Sequence, residues 1–277
     1  KVMKSLSSVE KLDILAGNAY ADSPKFYRNT LQVRNWARAA IRKAPNEMDF
    51  HGLCGGFSAA SIYLPEPQEY VIPIQYRLAD GRTGTLPLSF GSSDFKANAS
   101  YFYARKTWNF DPRIYTGYIG GRSGALNAGS FHVLLMTLVG DRGESFGVDT
   151  SVGPAVWNYP IVGFRTTVYP ARPVSVRGAS NDAVKEAEVE TTVEYMGTSD
   201  PTGYAQGALS DRNVMAIRYH YILELTENHS VVGGTWLSDS AQVDFAWKLQ
   251  GPIPMEGDAQ FSDYAKMMPY WIAQPRE

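Results

Sequence analysis

The apolar residues of this chain follow one period near its start and another afterwards, and that switch confines the fold to a few architectures. Ser7 and Glu10 have the spacing of a capping box, and Leu12, Leu15, Ala16 and Ala19 then fall on one helical face. A second helix is expected over residues 27–42, with Val33, Trp36, Ala37, Ala40 and Ile41 as its stripe and Pro45 closing it. After a polar loop at 46–52, Phe57, Ala60, Ser61 and Leu64 repeat the helical spacing up to Pro65. Beyond Pro67 the pattern turns to strands, expected at 69–78, 82–90 and 101–108, with Asp80-Gly81 as a turn. Residues 130–139 read as a strong strand that pairs with 145–150 through a turn at 140–143. Further strands are expected at 160–169, 188–196, 214–225, 231–236 and 242–249. Residues 178–212, poor in large apolar groups, read as exposed loops around a short element. Helices first and strands afterwards make an α+β chain with a mostly antiparallel sheet.

Composition removes several classes of function. The 277 residues are 44 % hydrophobic and 19 % charged, so a core is expected, and no apolar run has the roughly 18–20 residues of a membrane span. A net charge of −2 without a basic cluster argues against nucleic acid as a partner. One cysteine excludes a disulfide framework, and with four scattered histidines it cannot make a zinc site. Gly55-Gly56 and Gly120-Gly121 lack the strand-turn-helix context of a phosphate loop. The chain opens at Lys1 without a signal-peptide pattern and is expected to be a mature or trimmed form.

The chemistry gathers around Cys54, in Phe50-His51-Gly52-Leu53-Cys54-Gly55-Gly56-Phe57. A lone cysteine is commonly a small core hydrophobe. Cys54, however, stands before the apolar stripe of its helix, where free N–H groups and the helix dipole favour a thiolate. Its glycines let another molecule's backbone approach. A nucleophilic thiol needs a base. His229 lies in a polar turn, His51 in an exposed loop, and His220 in a Tyr-rich strand. His132 opens the expected strand at 130–139, on one face with Leu134, Met136 and Leu138. The hairpin would set Asp149 opposite or diagonal to it, about 5–8 Å away between Cβ atoms. A carboxylate there holds Nδ1–H of the imidazole and leaves Nε2 for the thiol. That site needs the helix after Cys54 to pack on the sheet.

The order of a cysteine at a helix start, a histidine and an aspartate resembles the transglutaminase-like and papain-like cysteine enzymes. Val156-Trp157-Asn158-Tyr159-Pro160-Ile161-Val162-Gly163-Phe164-Arg165 is similar, more specifically, to the signature segment of the oomycete transglutaminase elicitor family. That segment reads Val-Trp-Asn, one residue, Pro, two residues, Gly-Phe and a basic residue. Leu223-Glu224-Leu225, Gly233-Gly234 with Trp236, and Asp244-Phe245 with Trp247 extend the likeness, which covers about residues 50–250. Tyr159 stands where the oomycete segment has Gln, and Ile161-Val162 where it has Val-Arg. These departures point to a bacterial or otherwise diverged member and leave the segment's recognition by plants open for this chain.

The resemblance implies a secreted, extracellular or cell-wall protein-glutamine γ-glutamyltransferase with Cys54 as nucleophile, His132 as base and Asp149 as its orienting carboxylate. Its partners would be proteins with exposed Gln and Lys, and small primary amines. No cofactor is required, and Ca2+ is admitted as an activator although the chain has no EF-hand spacing. Trp157, Trp108 and Asn158 are expected at the substrate, where aromatic walls would keep water from a thioester. The Cys54 N–H is the obvious oxyanion donor, with Trp36, Asn46 and Trp108 as candidates for a second. Residues 46–277 would form the catalytic domain, and 1–45 a helical segment, regulatory or part of the core. Two other readings stay open: a cysteine peptidase or amidase with the same triad, and a non-catalytic wall or recognition protein.

Overall fold

The computed structural model describes residues 6–19, 23, 25–43, 53–78, 80–109, 112–115, 125–150, 152, 156–197, 214–256 and 258–272. The chain divides into two compact units: Lys1–Phe110 with Ser199–Leu209 and Gly251–Glu277, and Asp111–Thr198 with Ser210–Gln250.

The first unit opens with α1, Ser8–Leu15, whose capping box is present: Glu10 N–H donates to Ser7 Oγ, and Ser7 N–H to Glu10 Oε2. From α1, the Asp13 carboxylate accepts the Asn29 and Thr30 N–H groups and so caps α2, Arg28–Lys43. Then come α3, Cys54–Tyr63, the hairpin β1, Tyr70–Arg77, with β2, Thr83–Phe90, and α4, Ser92–Lys106. Gly81 takes φ +87° in the hairpin turn, the left-handed conformation for which glycine is suited. Phe90, Phe95, Tyr101, Phe102, Phe261, Tyr264 and Trp271 form an aromatic core. The strand expected at 101–108 is instead the second half of α4 and a 3-10 turn, Thr107–Asn109. Phe95, Ala99 and Phe102 are buried at i, i+4 and i+7, so the aromatic run belongs to a helix stripe.

The second unit is built on an antiparallel sheet. Its strands are β3 (Arg113–Tyr115), β4 (Gly147–Asp149), β5 (Asn158–Val168), β6 (Arg172–Pro173), β7 (Lys185–Met196), β8 (Val214–Leu225), β9 (Val231–Trp236) and β10 (Ala246–Lys248). They lie in the order β3-β10-β4-β5-β7-β8-β9, with β6 paired to β7. β7 alternates as a half-buried strand should: Ala187, Val189, Thr191, Val193 and Tyr195 face in, and Glu188, Glu190, Thr192 and Glu194 stay half exposed.

The largest correction concerns residues 130–139. They form no strand but the helix α5, Ala128–Leu134, which runs on as a π-helix over Leu135–Asp141. The Asn127 side chain caps α5 by accepting Ser130 N–H at 3.2 Å. The buried residues Ala128, Phe131, His132, Leu135 and Leu138 have helical spacing, while Val133 and Met136 are each 43 % exposed. α5 packs on β8 and β9. Among the described residues no helix is long and apolar enough to cross a membrane.

Candidate functional site

Cys54 is the first residue of α3 and is 8 % exposed. It belongs to the helix's buried face, with Gly55, Gly56, Ser58, Ala59 and Ala60, whereas Ser61 is exposed. Of the expected stripe only Ala60 belongs to that face, and Phe57 and Leu64 are half-buried: the small residues pack, because α3 approaches α4 closely. A Cβ on Gly56 would stand 2.1 Å from the Ser100 carbonyl oxygen and 2.3 Å from the Ala104 nitrogen. This glycine thus admits the backbone of α4 rather than that of another molecule. No side chain caps the first turn of α3, whose N-cap is Leu53.

His132 lies on the buried side of α5, 8 % exposed. Its Nδ1 stands 2.9 Å from the Tyr221 hydroxyl of β8, and the two rings meet edge to face. Burial lowers its pKa, because the charged imidazolium loses water there. Tyr221 is itself buried, and loss of water pushes its pKa up to about 12 despite the Thr191 hydrogen bond, so the hydroxyl stays protonated.

Asp149 does not occupy the place opposite His132 that the hairpin reading assigned to it. It ends β4, whose neighbours are β10 and β5, and its partner in register is Asn158. The carboxylate is fully buried, and Oδ1 accepts the Trp157 N–H at 3.0 Å. The partner of the imidazole Nδ1 is Tyr221, a residue that sequence reasoning missed. Its signal was present in the Tyr-rich strand Tyr219-His220-Tyr221, where period two sends both tyrosines to the buried face.

Of the residues expected at the substrate, Trp157 is 40 % exposed, and Asn158 is buried with its Oδ1 accepting the Trp247 indole N–H at 2.6 Å. Trp108 belongs to the 3-10 turn after α4, and its side chain lies outside the described residues, as do His51 and Asn46. Trp36 packs edge to face on Tyr101. His220 Nε2 is 2.8 Å from Glu188 Oε1, and this bond raises its pKa, with Asp239 adding to the effect. His229 sits in a tight turn at φ +61°. Among the described residues no group of three or more His, Cys, Asp or Glu could hold a metal ion.

Residues 48–255 match the profile of the transglutaminase elicitor family. The fold is similar to the crystal structure of the GP42 transglutaminase from Phytophthora sojae, with a TM-score of 0.60 and 21 % identity. That match covers 81 % of this chain and 64 % of the GP42 chain. No curated protein matches the chain.

Proposed function

The chain belongs to the transglutaminase elicitor family, and from that premise we propose that it is a secreted protein-glutamine γ-glutamyltransferase that works through a Cys54 thioester. The observation that best supports this reading is the state of His132. It is a buried imidazole held at Nδ1 and kept neutral near pH 7, which is what a general base requires.

In the proposed reaction His132 Nε2 takes the proton of the Cys54 thiol as sulfur attacks the carboxamide carbon of a glutamine side chain. The imidazolium returns that proton to the amide nitrogen, the C–N bond breaks, and ammonia leaves behind a thioester. A lysine amine then attacks the thioester and passes a proton to Nε2. The sulfur departs, regains that proton, and an isopeptide bond remains. The Cys54 N–H is proposed as one oxyanion donor. Asp149 is proposed to hold the Trp157 backbone beside the reaction, and Trp157 and Trp108 to keep water from the thioester. Proteins with exposed Gln and Lys, and small amines, would be its substrates.

A second reading, a non-catalytic recognition protein, is favoured by one observation. Val156, Trp157 and Val162 of the signature segment are 47 %, 40 % and 41 % exposed.

Incorporation of a labelled primary amine into a glutamine-rich protein tests the proposal, with Cys54→Ala beside the wild type, calcium present or absent, and ammonia followed in the same tube. Incorporation lost in Cys54→Ala is the expected result. Ammonia without incorporation would make the protein an amidase, and neither signal would leave the recognition reading.

A further inference from the structure

A line of hydroxyls leads away from His132 through the sheet of the second unit. His132 Nδ1 is 2.9 Å from Tyr221 Oη, and Tyr221 Oη is 2.9 Å from Thr191 Oγ1. Thr191 Oγ1 is 2.7 Å from Thr166 Oγ1, which lies 3.5 Å from the carbonyl oxygen of Glu190. The sheet builds this line: Thr166 and Thr191 are partners in register across β5 and β7, and Thr191 is paired with Tyr219, two residues before Tyr221, across β7 and β8. His132, Tyr221 and Thr191 are all buried.

Each hydroxyl has one hydrogen to give, and the carbonyl at the far end can only accept. If Thr166 donates to Glu190, Thr191 must donate to Thr166, Tyr221 to Thr191, and the imidazole must supply Nδ1–H to Tyr221. Every member of the line is then satisfied. The opposite run would have Tyr221 donate to Nδ1 and would withhold the Thr166 hydrogen from the carbonyl. It also has no place for the imidazolium, in which both ring nitrogens are donors.

We propose that Tyr221, backed by Thr191 and Thr166, is a positioning residue that fixes His132 as the Nδ1–H tautomer and leaves Nε2 as the basic nitrogen. The catalytic meaning of this assignment rests on the transferase reading, but the tautomer does not. A neutral line differs from a carboxylate in one respect: it orients the ring without adding a negative charge to stabilise the imidazolium. A proton taken at Nε2 is therefore readily given up again, as two successive proton transfers at one nitrogen require.

Long-range 1H–15N spectra of the 15N-histidine-labelled full chain test the assignment, with His132→Gln identifying the resonance. In the wild type the proton is expected on Nδ1. Tyr221→Phe, which keeps the ring but removes the hydroxyl, should shift the population toward Nε2–H. Thr191→Val should shift it the same way but less, and Thr191→Ser should restore the wild-type tautomer. In amine incorporation, Tyr221→Phe should lower kcat about tenfold with KM unchanged. A wild-type proton on Nε2, or a tautomer unmoved in both Tyr221→Phe and Thr191→Val, would overturn the proposal. A wild type as inactive as Cys54→Ala would remove the transferase reading, and the spectra would still decide the tautomer.

Discussion

The helix that begins at Cys54 and the helix that carries His132 are seated by one device against different neighbours. In α3, Gly56 lies two residues after Cys54 and lets the helix touch the backbone of α4 at Ser100 and Ala104. In α5, Gly129 lies three residues before His132. A Cβ there would stand 2.2 Å from the Gly233 carbonyl oxygen of β9, and one on Gly234 would stand 2.4 Å from the Gly129 nitrogen. The difference lies in what is added. α5 is also tied by Asn127 Nδ2, which donates to the Gly234 carbonyl at 2.8 Å, and by the bond between His132 and Tyr221. The first turn of α3 has no side-chain cap and buries small residues instead. A thiol needs only to be brought to a place. An imidazole must also be turned so that a chosen nitrogen faces the reaction, and turning a ring takes hydrogen bonds.

This comparison is broken most directly by adding one methyl group to each helix. Gly56→Ala and Gly129→Ala should each destabilise by about 3 kcal/mol, because the obstructing atoms are backbone and cannot swing aside. Urea unfolding measures this, and a variant of unchanged stability would show that its helix is not seated by the glycine. Next in size is a test of the second unit's dependence on hydrogen bonds to buried groups. Burial alone would raise the Glu186 carboxyl. The Ser175 N–H and hydroxyl, Arg172 and the Val176 N–H outweigh it and bring the pKa from 4.5 to about 2. The stability this contributes is complete above pH 4.5 and is lost as pH falls toward 2. Glu186→Gln should therefore cost about 2 kcal/mol near pH 7 and flatten the acid limb of a stability-against-pH curve. An unaltered limb would place the acid sensitivity elsewhere.

The smallest effect belongs to His132. Its folded pKa lies below the 6.5 of a free imidazole, so as pH falls through 6.5 the unfolded chain binds a proton before the folded chain does. Stability should drop over that window and level off below the folded pKa. His132→Gln should remove this component while leaving the Glu186 component at lower pH. The same lowered pKa should let amine incorporation persist to a more acid pH than a free imidazole would allow, which a pH–rate profile reads directly.

Local signals were the legible part of this molecule. Ser7 and Glu10 announce α1, Pro65 and the run after Cys54 bound α3, and Val214–Leu225 and Val231–Trp236 are strands with the limits their patterns suggest. The signature segment from Val156 to Arg165 identified the family, because a run of Trp, Asn, Pro and Gly-Phe at set spacing is too specific to arise from burial alone. Two apolar runs misled. Residues 101–108 and 130–139 are rich in aromatic and β-branched residues, which favour strands, yet both are helical. Their other signals, the Asp94 carboxylate on the Gly91 N–H and the Asn127 cap, are polar and easily passed over beside so many apolar side chains.

The sequence by itself determined the first three helices, the strands at 214–225 and 231–236, the place of the lone cysteine and the family, since each depends on residue identity and short spacing. The partner of His132 was decided only by the tertiary structure. Residues 132 and 221 are 89 positions apart, and what joins them is the packing of α5 on β8 and β9. That packing comes from a glycine contact and a shared hydrophobic core. Long-range contacts of this kind leave no local period to read, because burial rewards an apolar surface wherever its complement lies and does not say which surface that is.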